Sequence, residues 1–205
     1  AAIALTARPR EDVLLWDPFC GSGTMAIESA MAVRKIAPGL NRDFSSEKYP
    51  RITEKMWLEA RDEARSFEIK DSQYEVWASD IDEDILDIAY ENALRAGVEE
   101  NIRIFQADAR KIEKPSDRRG SIICNPPYGE RMGEMREIEQ LYREIGKNFK
   151  NFEPWHIYVI TSCEYFEKLY GRRADKVKKL YNGMLPCNLY QFFKPAEFQK
   201  NPPQQ

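Results

Sequence analysis

Asp17-Pro18-Phe19-Cys20-Gly21-Ser22-Gly23-Thr24 decides how this 205-residue chain is read. The run follows Val13-Leu14-Leu15-Trp16, a short apolar stretch that suits a buried first strand. It opens a helix from Ser22 to about Lys35 with Met25, Ala26, Ser29, Ala30 and Val33 on one face. The two glycines of the turn let backbone N–H groups come close to a ligand.

Strands and helices alternate outward from that turn. Pro38-Gly39 ends the first helix, Asn41 to Pro50 is polar and irregular, and a helix over Thr53 to Ser66 should turn Met56, Ala60 and Ala64 inward. Tyr74–Ala78 is the second strand. Asp82 caps the next helix, whose expected inner stripe is Ile85, Ile88, Ala89, Asn92 and Ala96, and Gly97 closes it. Ile102–Phe105 and Ser121–Cys124 are the third and fourth strands. Met135, Ile138, Leu141, Tyr142, Ile145 and Phe149 then form a helical stripe. Ile157–Ile160 is a fifth strand, followed by a short helix at Glu164–Tyr170. The last two strands, near Val177–Tyr181 and Leu189–Phe193, have no helix between them and suggest an antiparallel hairpin. The pattern predicts an α/β fold: a doubly wound, mostly parallel, seven-stranded sheet in one domain over residues 1–194, with a tail at 195–205.

Bulk properties fit a soluble enzyme. Hydrophobic residues make up 42% of the chain, no apolar run is long enough to span a bilayer, and the N-terminus lacks a signal-peptide pattern. Cys20, Cys124, Cys163 and Cys187 form no C-x-x-C pair, which argues against zinc and for reduced thiols in a cytosolic protein. His156, the one histidine, stands at the head of the fifth strand and suits a structural role. Net charge is −3, whereas contact with a phosphate backbone calls for a basic surface. One local basic stretch exists: Arg172, Arg173, Lys176, Lys178 and Lys179.

In doubly wound sheets ligands bind outside the carboxyl ends of the strands, near the switch point. Asp17, Asp80, Asp108 and Asn125 all fall at such ends. Gly21-Ser22-Gly23-Thr24-Met25-Ala26 departs from the NAD fingerprint at Ala26, and Asp17 would repel a pyrophosphate. The same carboxylate would attract the ammonium of a methionine moiety, which favours S-adenosylmethionine (SAM). Asp80 suits the ribose hydroxyls and Asp108 the adenine amino group. Phe19, Cys20, Gly21, Gly23, Thr24, Ile81 and Ala109 complete the expected cofactor set.

Asn125-Pro126-Pro127-Tyr128 supplies the other half of the chemistry. An amine conjugated with a ring is a poor nucleophile, and its hydrogens need acceptors that leave its lone pair aimed at a methyl donor. The Asn125 side chain and the Pro126 carbonyl offer two, prolines hold them in place, and Tyr128 offers a ring for an extruded base.

These runs, with Ser79-Asp80-Ile81-Asp82 and Asn125-Pro126-Pro127-Tyr128-Gly129-Glu130-Arg131, resemble the methyltransferase domain of THUMP-containing RNA methyltransferases. That group is similar to the bacterial rRNA guanine-N2 enzymes, often labelled N6-adenine-specific DNA methylases. Asn41-Arg42-Asp43-Phe44, Glu47-Lys48-Tyr49-Pro50 and the helix holding Trp57 share the resemblance, which covers nearly the whole chain. It implies a Rossmann-like class I fold, SAM bound by the residues named, and an exocyclic amine of RNA as target, guanine N2 of 23S rRNA foremost. Arg131 would help place the nucleotide, while Arg172 and Arg173 belong to the basic stretch that could touch a phosphate backbone. It also implies an upstream THUMP domain; the chain opens Ala1-Ala2-Ile3-Ala4-Leu5, as though inside a helix, and RNA affinity without that domain should be weak. An N6-adenine DNA methylase, a protein glutamine methyltransferase and a silent SAM-binding module are the alternatives.

Overall fold

The computed structural model describes residues 1–115, 118–128 and 132–193, with backbone alone at 132–134. Arg131 and the tail 195–205 lie outside the described residues. Chain order is α1 (Ala2–Ala7), β1 (Leu14–Asp17), α2 (Thr24–Arg34), α3 (Glu54–Ser66), β2 (Val76–Asp80), α4 (Glu83–Ala96), β3 (Ile102–Gln106), β4 (Gly120–Cys124), α5 (Met132–Phe149), β5 (His156–Thr161), α6 (Phe166–Tyr170), β6 (Lys176–Asn182) and β7 (Leu185–Phe192).

The seven strands run in the order β3-β2-β1-β4-β5-β7-β6. The first five are parallel, and β7 pairs antiparallel with both β5 and β6. The order reverses between β1 and β4, so the β1 and β4 carboxyl ends flank the crevice of a doubly wound sheet. Helices cover both faces, which is why all four residues of β1 and all five of β4 are buried. Leu15, Val76, Ala78 and Ile123 pack with α1, α2 and α4; Leu14, Trp16, Ile122 and Val159 pack with α5 and α6.

Several expectations about helix faces need correction. In α4 the buried positions are Leu86, Ala89 and Ala93, while Ile88 is exposed, because the face toward the sheet is one residue off the expected stripe. Met56 and Ala60 of α3 are exposed and no residue of that helix is buried; Trp57, Arg61 and Ala64 turn inward instead. Trp57 stacks on Phe44 at 5.6 Å, so α3 packs on the preceding loop rather than on the sheet. In α5, Tyr142, Ile145 and Phe149 are fully buried as expected, but Met135 lies beyond the covered face and is exposed. The capping signals correspond to observed caps: Asp82 accepts the Asp84 N–H at 3.0 Å, and Gly97 closes α4 at φ +68°.

One close approach fixes how α6 sits on α5. A Cβ on Gly146 would lie 2.1 Å from the Tyr170 carbonyl oxygen, a backbone atom that cannot step aside. Gly146→Ala should therefore destabilise the fold by roughly 2–3 kcal/mol or more. Thermal unfolding would show it as a drop in Tm of about 5–10 °C.

Candidate active site

Several peptide groups of the turn after β1 are tied to neighbours. The Cys20 N–H donates to the Ser79 carbonyl at 3.0 Å, the Gly21 N–H to Asp80 Oδ2 at 3.0 Å, and the Gly23 N–H to the Cys20 carbonyl at 2.8 Å. Asn92 of α4 donates to the Ser22 carbonyl at 3.0 Å. The two glycines have different jobs. Gly21 has φ +49° and faces open space, since a Cβ there would meet nothing within 4 Å. Gly23 has φ +82° and packs against Ala89, whose Cβ would stand 3.2 Å from a Cβ at Gly23. Gly23 serves the turn and helix packing and is not itself on the cavity wall.

Asp17 is completely buried. Its Oδ1 accepts the Phe19 N–H at 3.2 Å, while Oδ2 has no partner among the described residues. Burial pushes its carboxyl up to about 8; the Phe19 N–H opposes that rise and the Asp80 carboxylate adds to it. A buried oxygen without a donor is costly, and Asp17 is among the residues that line the site's cavity. Asp80 combines two duties: Oδ2 holds the Gly21 N–H, Oδ1 accepts the Asp82 N–H at 3.2 Å, and the residue also lines the cavity.

Asp108 departs from expectation. Both of its oxygens are taken by Arg110, at 2.7 Å from Nε and 2.7 Å from Nη2, and Oδ1 also accepts the Arg110 N–H at 3.0 Å. That guanidinium holds the Asp108 carboxyl below the usual carboxylate range. A tight turn two residues long brings them together, so the cavity wall presents an ion pair where a free acceptor was expected.

On the other side of the crevice, the segment after β4 places Asn125 at the surface, buries Pro126, and leaves Pro127 and Tyr128 on the wall. The Tyr128 hydroxyl donates to Asn125 Oδ1. Behind them, the fully buried Tyr142 lies 2.9 Å from the Pro127 carbonyl and 2.8 Å from Thr161 Oγ1, which itself accepts the Cys163 N–H at 3.1 Å. A carbonyl only accepts, so the Tyr142 proton points at Pro127 and the Thr161 hydroxyl donates to Tyr142. The backbone of the Pro-Pro segment is thus held from within the core.

Both motifs face one cavity of about 920 Å³. Asp17, Phe19, Cys20, Gly21, Thr24, Asp80, Ile81, Asp108 and Ala109 line it, together with Asn125, Pro127 and Tyr128. Sequence reasoning missed Ile138 and Leu141 of α5 and Leu180, Tyr181 and Asn182 of β6. These lie on elements that read only as packing; the sole hint was that β6 and β7 form a hairpin beside β5. Arg172 lies away from the cavity. It pairs with Glu153 at 3.1 Å and Asp175 at 3.4 Å and sits over the Phe192 ring, near the amino end of β5. Arg173 begins the same loop and is not part of the cavity wall. Both arginines thus stand apart from the cavity that the two motifs share. His156 also stands at that far end, edge-on to Phe193 at 5.3 Å.

A doubly wound sheet with a closing antiparallel hairpin, and a crevice flanked by these two motifs, defines the Rossmann-like methyltransferases. The family model described as "RMKL-like, methyltransferase domain" matches residues 1–191, and the chain belongs to that family, UPF0020. It is 42% identical over 184 residues to the protein named "Putative RNA methyltransferase YpsC" of Bacillus subtilis (strain 168), covering 90% of this chain and 48% of that protein. It is 40% identical over 178 residues to "Ribosomal RNA large subunit methyltransferase K/L" of Legionella pneumophila (strain Philadelphia 1), covering 86% of this chain and 25% of that protein. Among solved structures it resembles SMU.472, "a putative methyltransferase complexed with SAH", with TM-score 0.88 and 38% identity over 94% of this chain and 51% of that one. The chain thus spans about half, or a quarter, of the curated relatives it matches.

Proposed function

We propose that this domain transfers a methyl group from SAM to an exocyclic amine of a nucleobase in RNA, with guanine N2 of large-subunit rRNA as the target. The observation that carries the reading is the single cavity shared by the unpartnered Asp17 Oδ2 and the Asn125–Tyr128 segment. The residues fit SAM: Asp17 Oδ2 lacks the donor an α-ammonium supplies, Gly21 leaves open space where a side chain would intrude, and Asp80 stands where ribose hydroxyls can donate. When bound, SAM supplies a sulfonium methyl that needs no further activation. Asn125 Oδ1 keeps a second lone pair beside the Tyr128 hydroxyl and can accept an amine N–H, orienting the nitrogen lone pair. Burial holds the Tyr128 phenol above its ordinary pKa, so it acts as a hydrogen-bond donor and not as a base. The names of the relatives, both RNA methyltransferases, support RNA over DNA or protein.

Calorimetry with SAM, S-adenosylhomocysteine and NAD tests the cofactor half, and NAD binding without SAM binding would overturn it. Nucleoside analysis of RNA and DNA treated with labelled SAM tests the target half; N6-methyladenine in DNA as sole product would overturn it. Tyr142→Phe should lower kcat about tenfold with KM and cofactor Kd little changed, because it frees the Pro127 carbonyl from the bond that ties the Pro-Pro backbone to the core, a hydrogen bond worth about 0.5–1.5 kcal/mol. Steady-state kinetics beside calorimetry separates that outcome from loss of fold.

A further inference from the structure

We propose that the outer edge of the sheet, strand β6, is the track that receives the single-stranded RNA flanking the target base, with Tyr181 as a stacking platform at the cavity mouth. This rests on the RNA reading above and locates the surface that serves it.

The cations are placed for it. Lys176, Lys178 and Lys179 are exposed on β6 and have no ion-pair partner among the described residues. In a chain of net charge −3 that is a local departure from the bulk balance. Arg172, by contrast, is spent on Glu153 and Asp175. Register shows where the lysines lead. Lys178 pairs with Leu189, which pairs with Ile160, a wall of the cavity; Lys179 pairs with Asn188, which pairs with Thr161, the last residue of β5. The lysines therefore climb the sheet edge toward its carboxyl rim on both of its faces, Lys176 and Lys178 on the face of Leu180 and Asn182, and Lys179 on the face of Tyr181. Two residues further, Tyr181 is 67% exposed and lines the cavity beside Asn182.

The apolar surface fits the same partner. Tyr181 is joined at the hairpin by the exposed Met184 and Leu185. Lysines alone on an edge strand serve to block strand-to-strand association. That role does not explain an exposed aromatic ring on the cavity wall directly beyond them. Basic side chains along a groove followed by an aromatic platform is how single strands are held, phosphates on the cations and a base on the ring.

The test is a salt titration of a short fluorescein-labelled single-stranded RNA with the protein bound to S-adenosylhomocysteine. Replacing Lys176, Lys178 and Lys179 with Gln should reduce the slope of log K against log salt by about two, since each phosphate on a single strand contributes about −0.7. The control replaces Lys55, Lys70 and Lys150 with Gln, the same charge change away from β6, and should keep the wild-type slope. Tyr181→Ala should weaken RNA binding about tenfold. Calorimetric affinity for S-adenosylhomocysteine should be the same in both triple variants and the wild type, which separates this proposal from the cofactor reading. Equal slopes in the two triple variants, or no measurable RNA binding by the liganded wild type, would overturn the proposal.

Discussion

Asn125→Ala should lower kcat by about 10²–10³-fold, the scale for removing one positioned polar group that acts at the reacting centre, or roughly 2–4 kcal/mol. Affinity for S-adenosylhomocysteine should stay near the wild-type value, because Asn125 lines the cavity on the β4 side of the crevice, across from Asp17 and the glycine turn, and the contact proposed for it is with the target amine. Single-turnover methylation beside calorimetry decides it. An equal fall in kcat and in cofactor affinity would place Asn125 on the cofactor side; unchanged turnover would remove it from the mechanism.

Asp17→Asn should weaken cofactor binding by roughly 2–5 kcal/mol, the cost of truncating one partner of a buried charge pair. A proton signature goes with it. With its carboxyl near 8 in the free protein, Asp17 is mostly protonated at pH 7, and an incoming ammonium favours the ionised form. Binding at pH 7 should release close to one proton, and affinity should fall as pH drops below 8. Calorimetry in buffers of different ionisation enthalpy measures that release. The Asn variant should release none, and a wild type that also released none would show that the ammonium is held elsewhere.

The parts of the fold that were legible from residues alone share a physical cause. A sheet buried on both faces demands continuous apolar runs, so Leu14–Trp16 and Ser121–Cys124 announced themselves, and glycine turns and Asx caps are chemically restrictive enough to mark where helices start. The faces of helices were less legible. Ile88 and Met135 are as apolar as their buried neighbours, and only the position of the sheet decides which of them it covers. Site chemistry followed the same division. Asp17, Asp80 and Asn125 could be expected to share one cavity, as they do, because strand ends converge at a switch point. The Asp108–Arg110 pair and the Tyr142–Pro127 bond could not be expected, since each depends on side-chain directions that spacing does not specify. Arg172 and Lys178 looked alike as members of one basic run; the first is paired within a loop at the amino end of β5 and the second stands on an open edge.

The seam between β1 and β4 has a thermodynamic consequence. Leu14, Leu15 and Trp16 pair with Gly120, Ser121 and Ile122, more than a hundred residues away, and only that pairing brings Asp17 and Asn125 to one cleft. A chain in which either half of the sheet has opened has no cleft. Ligand occupancy is therefore linked to the folded state as a whole, and S-adenosylhomocysteine at a hundredfold excess over its Kd should add about 2.7 kcal/mol to the global stability of the domain. Amides in β3 and β7, at distant points of the sheet, would gain the same slowing of hydrogen exchange as those beside the ligand, so the cofactor acts as a fastener for the entire domain.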